Sequence, residues 1–195
     1  MLHRKPPGTQ DIAVILATDE GRELEMMRWG LVPSWIKDPK SGPPLFNARC
    51  ETVAEKPSFS TAMKRRRCLI PADGFYEWKK EGKLKLPFYI RRPNEEPFAF
   101  AGLWEQWQDS RSCTILTTTP NDLMKPLHDR MPVILSPNDY DFWLDTEANE
   151  PAKLNYLYEP FPDNELIATP VSTVVNNAKH EGPDCIEAPV KDTLF

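Results

Sequence analysis

The stretch Arg67-Cys68-Leu69-Ile70-Pro71-Ala72-Asp73-Gly74-Phe75-Tyr76-Glu77-Trp78 decides how the chain is read. Two apolar, β-prone runs, 67–72 and 75–79, flank an Asp-Gly turn signal, which predicts strands rather than helices. The same pattern extends outward in both directions. Asp11–Thr18 and 23–29 read as strands joined by Asp19-Glu20-Gly21. After the turn at Glu81-Gly82, strands are expected at 86–92, Phe98–Trp107 and 112–119, with another at 131–135. Helices are few: Ser58, preceded by Pro57, can N-cap one ending at Arg65, and 138–145 and 152–158 suit two more. The 21 prolines in 195 residues, about twice the usual ~5 %, are scattered singly and favour short elements over long helices. Without internal repeats or a low-complexity linker, the expectation is one α+β domain over 1–195. Its many short strands would form a mixed, partly barrel-like sheet with short flanking helices.

Composition sets the outer limits. Hydrophobic residues at 40 % and charged residues at 27 % describe a globular chain. The longest uncharged apolar run, at 12–18, is far short of the roughly 20 residues that span a bilayer, so no membrane partner is expected. No signal peptide is visible at the start, and the four widely spaced cysteines fit a reducing cytoplasm. Neither a disulfide scaffold nor a zinc cage is indicated, and no metal or other cofactor is expected.

The net charge of −5 seems to argue against nucleic acid, but it is unevenly spread. Residues 1–46 are neutral, 47–130 carry +4 and 131–195 carry −9. The middle third is the place for an anionic partner, and the last third reads as a solvated acidic surface.

Three polar spots interrupt apolar surroundings. Asn47-Ala48-Arg49 offers an amide and a guanidinium on one side of an extended chain, suited to a carbonyl or hydroxyl and to a phosphate. Glu77 lies between Tyr76 and Trp78 and shares the Phe75 side of its strand. With that side inward it would be a partly desolvated carboxyl fit for acid/base work, and with that side outward a surface glutamate. His128, ahead of Asp129 and Arg130, is a candidate proton carrier or a loop cap. Arg65-Arg66-Arg67 reads as a solvated basic run at a helix end. The six tryptophans could stack on bases or fill the core.

Taken in order, these segments closely resemble the SOS response-associated peptidase (SRAP) family, the abasic-site processing proteins. The likeness begins with Arg28-Trp29-Gly30-Leu31-Val32-Pro33-Ser34-Trp35 and Asn47-Ala48-Arg49-Cys50-Glu51-Thr52. It continues through 67–78, His128-Asp129-Arg130-Met131-Pro132, and Pro170-Val171-Ser172 with Asn176 and Gly182-Pro183. It implies a DNA-damage protein that senses abasic sites in single-stranded DNA, a monomer acting in the cytoplasm at the nucleoid. In the family, the cysteine after the initiator methionine condenses with the opened sugar aldehyde, and its thiol closes a thiazolidine crosslink. By position, Glu77 would assist imine formation, Asn47 would orient the reacting groups, and His128 would act on the sugar oxygen and in reversal. Arg49 and Arg130 would hold phosphates, while Trp29, Pro33 and Trp35 would contact bases. This sequence begins Met1-Leu2-His3-Arg4 and not Met-Cys-Gly-Arg. The expectation is therefore an N-terminally shortened member, or one without covalent capture that binds single-stranded DNA non-covalently. The family label adds a peptidase reading, for which no cysteine or serine here has a catalytic context.

Overall fold

Strand β5 (Arg67–Ala72) and strand β6 (Gly74–Glu81) are separated by Asp73 alone, yet they do not pair with each other. The expected turn is instead a passage from one sheet to another. Strand β5 is buried on both faces and pairs with β2 (Asp11–Thr18) and β8 (Phe98–Trp107). Strand β6 pairs with β7 (Leu84–Arg91) over its length and, in parallel, with the short β1 (Leu2–His3). The computed structural model behind this description covers residues 2–3, 10–39, 42–147 and 151–189.

The larger sheet contains the barrel. Strand β2 pairs along its whole length with β3 (Gly21–Trp29), and β8 pairs with β9 (Ser110–Thr118). Two narrow seams complete a ring of five strands: Ile15 opposite Leu69 between β2 and β5, and Arg28–Trp29 beside Ser112–Cys113 between β3 and β9. The expected partly barrel-like α+β architecture is what the chain forms. Alternation along the shared strands sorts side chains into two cores. Cys68, Ile70, Phe98, Phe100, Cys113 and Ile115 face one cluster, while Leu69, Ala99, Ala101, Leu103 and Leu116 face a second. Helix residues Phe59, Ala62, Met63 and Trp143 cover that second cluster. A continuous apolar run such as Phe98-Ala99-Phe100-Ala101-Gly102-Leu103 is the sequence counterpart of a strand buried on both faces.

Several boundaries move for identifiable reasons. Helix α1 spans Ser60–Arg65 and its N-cap is Phe59, not Ser58. Phe59 is buried in the helix-covered core, and the Lys56 carbonyl accepts the N–H groups of Phe59 and Ser60, so packing takes precedence over side-chain capping. The expected strand at 131–135 divides into β10 (Met131–Pro132) on β9 and β11 (Ile134–Leu135) on β8. Between them, Val133 donates its N–H to Leu116 and accepts from Ala101, which wedges the segment where β8 and β9 separate. The expected helix at 138–145 is a 3₁₀ turn at 137–139 followed by α2 (Tyr140–Leu144). The one at 152–158 is α3 (Pro151–Leu154) followed by a 3₁₀ turn. Three strands were not anticipated: β1 on β6, β4 (Asn47–Arg49) on β9 and β12 (Ile167–Pro170) on β7. The C-terminal segment then lies on the outer face of the smaller sheet, where Val171, Val175 and Cys185 bury Tyr76 and Tyr89.

The basic run 65–67 is not a solvated face. Arg67 is only 2 % exposed, and Arg66 pairs with Glu105 at 2.7 Å. No described helix is long and apolar enough to cross a membrane.

Candidate nucleic-acid interface

Strand β9 is the element that assembles the polar spots. On one side it holds β4, with Asn47 opposite Ile115 and Arg49 opposite Thr117. It also receives β10, with Met131 opposite Thr118 and Pro132 opposite Thr117. The Asn-Ala-Arg and His-Asp-Arg-Met-Pro segments, some 80 residues apart in the chain, thus meet at one end of one strand. Alternation buries Ala48 and leaves Asn47 and Arg49 exposed on the same side. Arg49 makes no ion pair among the described residues and is available to a phosphate.

Arg130 has a different use. Its two terminal nitrogens donate to the Glu51 carboxylate at 2.6 and 2.8 Å, and Nη2 also donates to the Thr117 carbonyl at 2.5 Å. A guanidinium committed in this way clamps the two motifs together, and only Arg49 of the expected pair presents an unengaged fork. The sequence reading missed Glu51 and Thr117 as members of the site. Glu51 does follow the Asn-Ala-Arg motif, but nothing local points to a partner 79 residues away.

The clamp also orders the histidine. His128 Nδ1 lies 3.0 Å from the Arg130 amide nitrogen and 3.2 Å from the Arg130 carbonyl oxygen, so it accepts from the first when bare and donates to the second when protonated. Asp129 Oδ1 lies 3.2 Å from the same Nδ1 and gives the protonated ring a carboxylate partner. His128 is therefore an exposed imidazole held at Nδ1, with Nε2 outside these contacts.

Glu77 enters from the smaller sheet. It is half-buried, opposite Phe88 on β7, and shares the side of β6 on which Phe75 packs against Phe98 and Phe100. The inward alternative for this side is the one the structure adopts. Phe75, Phe88, Phe46 and Leu127 all join the same barrel core, so each motif places an apolar anchor in one cluster.

The aromatic expectations divide. Trp29 is not at an open surface: it is a core residue whose Nε1–H donates to the Phe46 carbonyl at 2.8 Å, fixing the residue before Asn47. Burial between strand and loop explains why this ring serves position and not contact. Pro33 is buried as well. Trp35 stands 64 % exposed, on a loop tied down where Trp107 Nε1–H meets the Ile36 carbonyl at 2.6 Å. Beside this loop is an open cleft of ≈ 350 Å³ lined in part by Arg28 and Arg111.

All four cysteines are buried, and no disulfide joins them. Burial pushes the Cys50 and Cys68 thiols up and raises Cys113 to about 12, so none of these three is a ready thiolate.

The clamp makes a pH-dependent prediction. Hydrogen bonds from Arg130, first among the causes, hold the Glu51 carboxyl below its ordinary value, and the pair raises Arg130 in turn. A carboxyl lowered by folding stabilises above its unfolded value, and that contribution disappears as pH falls through the folded one. Glu51→Gln should cost about 1 kcal/mol at neutral pH, the scale of a solvent-screened pair. Its thermal midpoint should converge with that of the parent as the solution is acidified through the carboxylate range. Curves that stay parallel would reject the clamp.

Fold and site together define a barrel-and-sheet protein in which the segments bearing Asn47, Glu77 and His128 anchor in one core, with Trp35 on an exposed loop. The family model described as SOS response associated peptidase (SRAP) matches residues 5–178, and the chain belongs to that family. It is 42 % identical over 186 residues to the abasic site processing protein YoqW of Bacillus subtilis, covering 92 % of this chain and 83 % of that one. Identity to the abasic site processing protein YedK of Escherichia coli is 33 % over 190 residues, with 93 % and 82 % covered. A solved structure of a protein from Bacteroides thetaiotaomicron superposes with a TM-score of 0.83 at 28 % identity, covering 93 % and 82 %.

Proposed function

We propose that this protein recognises abasic sites in single-stranded DNA. The observation that carries the reading is the meeting, on β9, of exposed Asn47 and Arg49 with the clamped His128 segment, in a chain whose relatives are named abasic site processing proteins. A missing base leaves a sugar that opens to an aldehyde. Asn47 is suited to hold its oxygen, His128 to exchange a proton with the ring hydroxyl, and Glu77 to assist addition and loss of water at the aldehyde carbon. Arg49 holds a flanking phosphate, and Trp35 stacks on a neighbouring base. Asn47, Arg49, Glu77 and His128 serve recognition of the opened sugar whether or not a covalent step follows it. A peptidase acting through Cys50, Cys68 or Cys113 finds no support in their burial and raised thiols.

Binding to fluorescent oligonucleotides, intact or carrying one abasic site, over a range of salt concentrations tests the reading. Affinity should fall with salt, and Arg49→Ala should flatten the logarithmic salt slope by about 0.7. Trp35→Ala should weaken both oligonucleotides about tenfold. Asn47→Ala and His128→Ala should erase the preference for the abasic strand while sparing affinity for the intact one. Equal binding of both strands by the unaltered protein, or binding indifferent to salt, would reject the proposal.

A further inference from the structure

The geometry points to a zinc site in the C-terminal segment, formed by His180 Nε2, the Asp184 carboxylate and Cys185 Sγ. These three donor atoms lie within 4.8 Å of one another, on a part of the chain that the proposed DNA interface does not use. Zinc–ligand bonds of about 2.0–2.3 Å place tetrahedral donors about 3.3–3.8 Å apart, so closure needs a contraction of roughly 1 Å and no new fold. Part of the set is already closer: His180 Nε2 is 2.7 Å from Asp184 Oδ2, and Cys185 Sγ is 4.0 Å from Asp184 Oδ1.

The backbone aims the carboxylate. Gly182 has φ +157°, and a Cβ there would sit 2.6 Å from Asp184 Oδ1, so the carboxylate folds back over a position only glycine leaves open. Cys185 is fully buried and its carbonyl accepts the Tyr76 hydroxyl at 3.2 Å, which anchors the segment to β6. His180 and Asp184 are partly exposed, with side chains 36 % and 41 % accessible, and give an ion a route in. One imidazole, one carboxylate and one thiol select zinc over magnesium or calcium, which take oxygen ligands. Water would complete the tetrahedron. Binding displaces the Cys185 thiol proton to solvent, and the zinc–sulfur bond forms in its place.

The expected consequence is mechanical. The same segment places Asn176 Oδ1 2.7 Å from Trp78 Nε1, so it braces both neighbours of Glu77, Tyr76 and Trp78. A bound ion would hold that brace against the outer face of β6.

Titration of metal-free full-length protein with Co²⁺, followed by Zn²⁺ competition, tests the site. We expect one equivalent bound, a thiolate-to-cobalt charge-transfer band that zinc abolishes, and about one proton released per metal. Zinc at a hundredfold excess over its dissociation constant should raise the thermal midpoint by about 5–10 °C. Cys185→Ser should remove the charge-transfer band. His180→Gln, which loses only a half-exposed contact with Asp184, should weaken zinc at least tenfold while moving the metal-free midpoint by no more than about 3 °C. An unchanged cobalt spectrum in Cys185→Ser, equal affinity in His180→Gln, or no thermal shift with zinc would overturn the site.

Discussion

Replacing Arg67 with methionine should destabilise the fold by about 3–5 kcal/mol, since each buried acceptor that loses its donor costs about 1–3 kcal/mol. Arg67 is 2 % exposed, and its guanidinium donates to three backbone carbonyls. Nε reaches Trp143 at 2.6 Å, Nη1 reaches Met63 at 3.0 Å, and Nη2 reaches Asp145. The guanidinium carbon also lies 5.6 Å from the centre of the Trp143 ring. This one residue therefore ties β5 to the end of α1 and to the end of α2, where helical carbonyls have no partner within the helix. Methionine fills much of the volume but takes the donors from the buried Trp143 and Met63 contacts and from the part-buried Asp145 carbonyl. Lysine keeps the charge but lacks the planar fork, and should recover only part of the loss. Urea unfolding measures the difference; a loss below about 1 kcal/mol would show that water replaces the fork readily.

Gly74→Ala should cost about 3 kcal/mol, near the top of the range for overpacking. A methyl group there would lie 2.3–2.5 Å from Cε2, Cζ and Oη of Tyr89. That ring cannot step aside, because it is 6 % exposed and packs on Tyr76 with ring centres 5.3 Å apart. Relief must come from a shift of β6, which carries Glu77 three residues on. The substitution should therefore reduce discrimination of abasic DNA in the fraction that remains folded. Tyr89→Leu removes the obstructing ring, so the double variant should be more stable than the sum of the two single effects implies. Strict additivity would place the obstruction elsewhere.

Arg67 and Gly74 also show where reading along the chain succeeds and where it stops. The stretch 67–78 is recognisable as two β segments, and the polar residues within and beyond it, Asn47, Glu77 and His128, stand out against apolar neighbours. Arg67 looked like the last of three surface arginines because charge runs are usually solvated. Nothing local shows that helix-end carbonyls near residue 145 will close over it. Trp29 and Arg130 have partners that are hidden in the same way. Each has a residue type suited to DNA, but each is engaged by a partner distant in sequence, the Phe46 carbonyl and the Glu51 carboxylate. The short strands β4 and β12 lack the length that makes alternation visible, and pairing with β9 and β7 is what makes them strands.

By itself the sequence determined the strand-rich class, the basic middle third, the order of the motifs and the resemblance they carry. Those properties are written in local periodicity, turn residues and charge, which each segment possesses before it meets another. Only the tertiary structure decided that Asp73 and Gly74 pass the chain between sheets, that five strands close a ring through two narrow seams, and that β9 brings Asn47 and His128 to one place. Such choices depend on which distant surfaces bury one another best, a free energy of the whole chain that no single segment contains.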